Sequence, residues 1–360
     1  MNPTDSNIIT WLRFPLIVAV VCIHCNLVVS CPWTQHFPLF SAFSYLWIDE
    51  VCYIAVAAFF FISGLLFFRN NTFTAADYRH KLHSRLRTIV LPYVLWNIIY
   101  FLVIWLLQTL RPGFLLLLHK PVADFTIGDF AWIFWDVSQI THLPTDQHSS
   151  LVSQFWFLQC LVLIILFSPV IWAGVKRFGL LIPLLFFVLD KTEVVPDWPG
   201  LVAYSWAYFT LGAFFAIRGI SVIQLIYRYQ RPIGLAIAIL LVLDVTLHQY
   251  GTQSFVVRHL LKSSLIALLF IVAQQMIARG CNMPSLLVGS TFFVFAVHRF
   301  FTAICTNVAG SVPLLTGNSL TALTTYVVSC ALSTLLSVFF YWSCRHYFPK
   351  ACNLLTGNRQ

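Results

Sequence analysis

Residues 89–110 read IVLPYVLWNIIYFLVIWLLQTL, a stretch with neither an acid nor a base. As a helix rising 1.5 Å per residue it extends about 33 Å, enough to cross a hydrocarbon core of about 30 Å. Comparable windows recur on both sides, near 12–30, 47–68, 155–174, 178–190, 201–217, 233–250, 259–278, 286–306 and 321–343, with 178–190 the shortest. The expectation is an all-α fold: one polytopic transmembrane helical bundle over residues 1–360, with about ten spans. Composition agrees, since 59% of the 360 residues are hydrophobic and only 9% are charged, against roughly 25% charged in an average soluble domain. The mean hydropathy is +0.84. An ordinary soluble enzyme is excluded, because so few charges cannot cover a water-facing surface.

The net charge of +9 describes topology and not a nucleic-acid partner, because the bases are shared among short loops and form no continuous basic face. With both termini in the cytosol, the bases within 69–87, 176–177, 218–231, at 279 and within 345–359 fall on the inner side. Arg111, Lys120, Lys191 and Arg258 fall outside, with most of the acids, among them Asp49, Glu50, Asp129, Asp136, Asp146, Glu193 and Asp197. That asymmetry follows the positive-inside rule. The ten cysteines include Cys22, Cys160, Cys330 and Cys344 inside or at the ends of apolar runs, which favours free buried thiols over an extracellular disulfide framework. Cys22-Ile23-His24-Cys25 has the look of a redox or metal motif, but in a membrane helix packing is the simpler reading, and no metal is expected. Val28-Val29-Ser30-Cys31 has the form of a lipoprotein cleavage site, yet the charged stretch that should precede it is nearly absent. The longest hydrophilic segment, 111–154, carries the aromatic run 130–135 together with His142, Asp146 and His148. Aromatic residues favour the membrane interface, so this segment is expected to lie on the surface or re-enter the bundle.

A charge at the centre of a spanning helix costs at least about 2.5–3.5 kcal/mol on insertion scales, so each one needs a partner or a task. The candidates are Arg13, His24, Asp244, Lys262, His298 and Arg299. Arg13 and His24 are eleven residues apart, which returns to nearly the same helix face about 16 Å farther along. The bland alternative is that Arg13 snorkels to the headgroups and His24 bonds a neighbouring carbonyl. In the cytoplasmic stretch 79–87, Arg79, His83 and Arg87 share one helix face, as do Lys81 and Arg85. Such a face grips phosphates or simply anchors the loop. Ser63-Gly64 lets helices approach closely and adds one hydroxyl, so packing and chemistry are both open readings.

Taken together these residues resemble the integral-membrane acyltransferase 3 family, bacterial enzymes that O-acylate surface and exported carbohydrates. Arg13 to His24 is similar to the family's Arg-x10-His. Phe60-Phe61-Ile62-Ser63-Gly64 resembles its double phenylalanine before Ser-Gly, and Arg85-Leu86-Arg87 with Pro92 resembles its Arg-x-Arg. Phe155-Trp156-Phe157-Leu158 with Pro169 is similar to its Trp-Phe-Leu span, and His298 after 292–295 to its late-span histidine. Two positions depart from the pattern: Ala57 stands where many members have proline, and Arg13-Phe14-Pro15 where Arg-Gly-aliphatic is common. The chain resembles the stand-alone type, since residues after 343 are too few for an SGNH-type domain.

The resemblance implies a multi-pass protein of the bacterial inner membrane that uses a cytosolic acyl-CoA, most often acetyl-CoA, as donor co-substrate. Arg85 and Arg87, helped by Lys81 and Arg13, would hold its phosphates. His24 would be the general base, with Ser63 as an alternative nucleophile and His298 orienting His24 or the acyl oxygen. A carbohydrate acceptor, free or lipid-linked, would meet Asp49, Glu50, Trp47 and Trp33 at the outer side. Membrane lipids are expected partners and a homo-oligomer is open. The rival from another class is a secondary transporter or exporter, which would equally use buried Arg, His and Asp.

Overall fold

Lipid offers no partner to a bare backbone amide, and every regular element among the described residues is accordingly a helix. The computed structural model describes residues 3–70, 72–111, 120–141, 148–192, 194–196 and 198–358, with side chains from residue 6 onward. His142, Asp146, Glu193, Asp197 and Arg359 lie outside the described residues.

The first helix, α1 (Pro3–His24), runs unbroken through Pro15. A long bent path follows as α2 (Pro38–Phe67), whose middle, Ser44–Cys52, is wound as a π-helix. The third, α3 (Ala75–Leu110), begins with the capping box of Thr74 and Asp77 and passes through a second π-helical stretch at Leu86–Val90. Then come α4 (Trp156–Leu166), α5 (Ser168–Phe178), α6 (Leu181–Thr192), α7 (Ala203–Ile217) and α8 (Val222–Arg228). The chain continues as α9 (Gln230–Gln249), α10 (Phe255–Ala278), α11 (Ser285–Ser311), α12 (Ser319–Tyr347) and α13 (Pro349–Thr356).

Among the described residues seven helices are long and apolar enough to cross a membrane, and nine if two bent pairs count as one span each. The two pairs, Ser153–Leu166 with Ser168–Phe178 and Ala203–Ile217 with Val222–Arg228, turn by 67° and 95°. Pro169 starts α5 just after the first bend, where its missing N–H costs no helical bond. Gly219, with φ 68°, sits in the second. The expected span at 178–190 becomes the 12-residue α6, about 18 Å long and too short to cross alone. The bundle is therefore more broken than ten straight spans.

The α1 helix is central, packing on α2, α10, α11 and α12. Exposed apolar residues such as Leu235, Ile239 and Val242 of α9 face outward, as expected where the solvent is lipid. The helices α2 and α7 approach closely. A methyl group placed on Gly64 would meet Phe209 O at 2.0 Å, and one on Gly212 would meet Phe61 O at 2.0 Å. Two glycines thus face each other's backbones, which is how helices approach without bulky side chains between them.

The hydrophilic segment has both expected characters. Phe130, Trp132 and Trp135 are exposed, while the stretch leading to α4 enters the bundle. There Asn97 Oδ1 accepts from Val152 N at 3.2 Å, and Gln154 Nε2 donates to Ala296 O at 2.8 Å. Irregular backbone at this depth is tolerated where protein surrounds it. Outside the bundle, Lys120 Nζ sits 2.8 Å from Asp129 Oδ2. That contact, with hydrogen bonds from Thr126, pulls the Asp129 carboxyl down to about 2. Asp136 is also lowered: burial works against ionisation, but hydrogen bonds from Ser138, His148 and Gln139 outweigh it. Because these carboxyls are depressed in the folded state, their stabilisation is present above the ordinary carboxylate range. It is lost as pH falls through the folded values. Hydrogen exchange around 120–136, corrected for intrinsic rates, should therefore accelerate as pH drops from about 4 toward 2. Asp129→Asn should remove the part of that change local to 120–130.

Candidate active site

The spacing of Arg13 and His24 on one face of α1 has a direct spatial consequence. Both line a single cavity of about 580 Å³, walled by α1, α2, α3, α4, α7 and α11. Most of the wall is apolar, from Ile17 and Val20 of α1 to Phe59 of α2, Leu161 of α4 and Phe292 of α11. The polar groups gather at its two ends.

At one end stand Arg13 and Arg85, with Thr88, Gly289, Gly357 and Asn358. Neither guanidinium has an ion-pair partner among the described residues. The chain beyond α12 is drawn into this end: Trp96 Nε1 donates to Leu355 O at 3.0 Å. Gly357, at φ 67°, lies so close to α3 that a methyl there would be 2.5 Å from Thr88 O. Guanidinium groups donate in a fork that matches the oxygens of phosphates and carboxylates.

At the other end are His24 and Arg299, with Tyr53 and Gln154 nearby in the wall. Arg299 Nη1 lies 3.0 Å from His24 Nδ1. Guanidinium groups only donate, so Nδ1 accepts with its lone pair and the neutral ring carries its hydrogen on Nε2. His298, fully buried, faces Val294 O at 3.0 Å and Phe295 O at 2.9 Å through Nδ1. Its hydrogen is therefore on Nδ1, and Nε2 has no hydrogen-bond partner among the described residues. The two imidazole rings are 5.1 Å apart, centre to centre.

Helix rise gives the cavity its length. Arg13 to His24 on α1, Ser63 to Tyr53 on α2 and Val288 to Arg299 on α11 are each ten or eleven residues, about 15–16 Å, and all six residues line the wall. Ser63 thus belongs to the arginine end of α2, while Tyr53 belongs to the imidazole end. Ser63 lines the cavity, and the close packing at the Ser-Gly pair is made at Gly64.

Of the residues singled out from sequence, Arg13, His24, Ser63 and Arg85 come together in this cavity, and His298 abuts His24 from outside its wall. Others are placed elsewhere. Arg87 is exposed and not part of the lining. Lys81 donates to Phe67 O and sits over the rings of Phe67, Phe68 and Phe73. Asp49, Glu50, Trp47 and Trp33 do not line the cavity either. Glu50 is fully buried and receives Arg258 Nη2 at 2.8 Å and Nε at 3.2 Å. Trp33 Nε1 donates to Thr316 O at 3.2 Å, and Trp47 is exposed. Tyr45 bonds Asp244, so the second intramembrane acid also has a partner.

All ten cysteines are free. Cys22, Cys25, Cys52 and Cys330 are buried. Among the described residues no three of His, Cys, Asp and Glu are placed to hold a metal ion. Sequence reading did not single out Gln154, Tyr53, Thr291 or Asn358 as site residues. Gln154 alone had a local signal, standing two residues before the Trp-Phe-Leu stretch.

The structure is thus a multi-span helical bundle with one cavity that has two arginines toward one end and the His24–Arg299 pair toward the other. Residues 7–342 match the family described as an acyltransferase domain, and the chain belongs to that family, acyltransferase 3. It is a membrane acyltransferase. Searches of curated proteins and of solved structures give no significant match.

Proposed function

We propose that this protein moves an acyl group, acetyl in the first instance, from a cytosolic acyl-CoA to a hydroxyl of a surface or exported carbohydrate at the bacterial inner membrane. The observation that carries this reading is a single cavity with Arg13 and Arg85 at one end, neither ion-paired among the described residues, and the His24–Arg299 pair at the other.

By the positive-inside rule the arginine end faces the cytosol, where nucleotide donors are found. Arg13 and Arg85 bind the donor's phosphates, and the pantetheine arm is long enough to run past Ser63 to His24. Ser63 Oγ serves as a hydrogen-bond partner for an amide of that arm. About 15 Å of helix separates its level from Tyr53 at the imidazole end, which favours direct attack by the acceptor over a seryl intermediate. His24 takes the hydroxyl proton as the oxygen attacks the thioester carbon, the C–S bond breaks, and the proton passes to the departing thiolate. The acceptor approaches by way of Trp33 and Trp47. Asp49 is the acid free to bond its hydroxyls, because Glu50 is committed to Arg258.

Purified protein supplied with labelled acetyl-CoA and a membrane glycan extract tests this reading. Arg13→Gln and Arg85→Gln should each raise the donor KM by about 10–100-fold, the worth of a charge-assisted hydrogen bond, and change kcat little. An unchanged donor KM in both variants would remove the phosphate-binding assignment.

A further inference from the structure

His298 and Arg299, neighbours on α11, hold His24 between two opposite kinds of hydrogen-bonding group. Arg299 occupies the lone pair of His24 Nδ1 at 3.0 Å. His298 presents a lone pair at Nε2, buried and without a partner among the described residues, on a ring 5.1 Å away. A buried acceptor left unsatisfied destabilises the fold, so it calls for an explanation.

We propose that His298 and Arg299 form a two-position cradle that keeps His24 from acting as a base until a thioester carbonyl arrives. This inference rests on the acyl-transfer reading above. His24 has one lone pair, at Nδ1, and Arg299 covers it; the other nitrogen is an N–H and takes no proton. When the donor's carbonyl reaches this end, its oxygen attracts the guanidinium, which leaves Nδ1. The ring then tilts so that its Nε2–H reaches the vacant Nε2 of His298, the acceptor that was missing a donor.

The freed Nδ1 takes the proton of the acceptor hydroxyl while the hydroxyl oxygen bonds the carbonyl carbon. The carbonyl π electrons move to oxygen, where Arg299 bonds the charge. Collapse restores the carbonyl and breaks the C–S bond, its electron pair leaves on sulfur, and the Nδ1 proton passes to the thiolate. Arg299 then returns to Nδ1. Arg299 is thus a catalytic residue that touches the reacting oxygen, and His298 is a positioning residue that acts through His24.

Diethyl pyrocarbonate, which attacks an imidazole lone pair, tests the cradle on the full chain in detergent with no donor or acceptor present, read by mass spectrometry of the peptide containing His24. His24 in the unaltered protein is expected to react about 10–100-fold more slowly than in Arg299→Met, the ratio a charge-assisted hydrogen bond implies. Arg299→Lys, which still donates, should remain slow. In turnover, Arg299→Met should lose about 10²–10³-fold in kcat, as for removal of an oxyanion donor, with the donor KM unchanged. His298→Phe should lower kcat in the same way, and His298→Gln, whose amide oxygen can accept, should recover part of it. Equal modification rates with and without Arg299 would overturn the proposal, as would full kcat in Arg299→Met or His298→Phe. A variant that no longer elutes as a single species is judged by its Lys or Gln counterpart. The modification experiment needs no substrate, so a failure of acyl transfer itself would leave its result distinct.

Discussion

His24→Ala is expected to lower acyl transfer by about 10²–10⁴-fold, the usual worth of a general base, in a protein that still inserts and elutes as a single species. His24 lines the cavity instead of filling a packed core position, so its removal enlarges a space already present. The donor KM should hardly move, since Arg13 acts about 16 Å away along α1 and Arg85 of α3 lines the same cavity as Arg13. Initial rates with labelled acetyl-CoA at several donor concentrations separate the two effects. A variant within threefold of the parent kcat would place the base elsewhere in the cavity.

Gly64→Val and Gly212→Val are expected to be the most damaging substitutions to the fold. Each added side chain begins at a Cβ that would stand 2.0 Å from a carbonyl oxygen of the facing helix, and the next atom met is again backbone. Overpacking a core typically costs about 1–3 kcal/mol where side chains can yield. Here they cannot, and α2 and α7 must separate. Both variants should show loss of the monodisperse species in detergent and a melting transition lowered by many degrees. Ser63→Ala, one residue away and facing the cavity, should leave the melting transition in place. A stable Gly64→Val protein would contradict the close approach of the two helices.

What the sequence made readable depended on whether one helix held the information. Arg13 and His24 share a face because helix periodicity alone decides it, and their common cavity followed. The same holds for the long uncharged runs, each of which measures itself against the bilayer. Contacts between helices were not readable in that way. Arg299 was recognisable as a costly intramembrane charge, but that it reaches His24, 275 positions earlier, depends on how α1 and α11 pack. Asp49 and Glu50 read alike as acids at an outer helix end. Only the fold brings Arg258 onto Glu50, 208 residues away, and sets the two acids apart. Lys81 and Arg87 looked equivalent to Arg85 in charge; the π-helical stretch Leu86–Val90 and the aromatic cluster around Lys81 leave Arg85 as the base of that group in the cavity wall. The span count also depended on bends near Pro169 and Gly219, where composition stays apolar while direction changes.

The central claim is that one cavity takes a thioester from the arginines to His24. Photo-crosslinking with an acyl-CoA whose short acyl group carries a diazirine tests it most directly, with labelled residues mapped by mass spectrometry. Labelling is expected at Ile23, Tyr53, Trp156 or Phe295 in the cavity wall, diminished by excess acetyl-CoA and abolished in the Arg13→Gln, Arg85→Gln double variant. Labelling confined to lipid-facing positions such as Leu235 or Val242, or labelling indifferent to the two arginines, would contradict it.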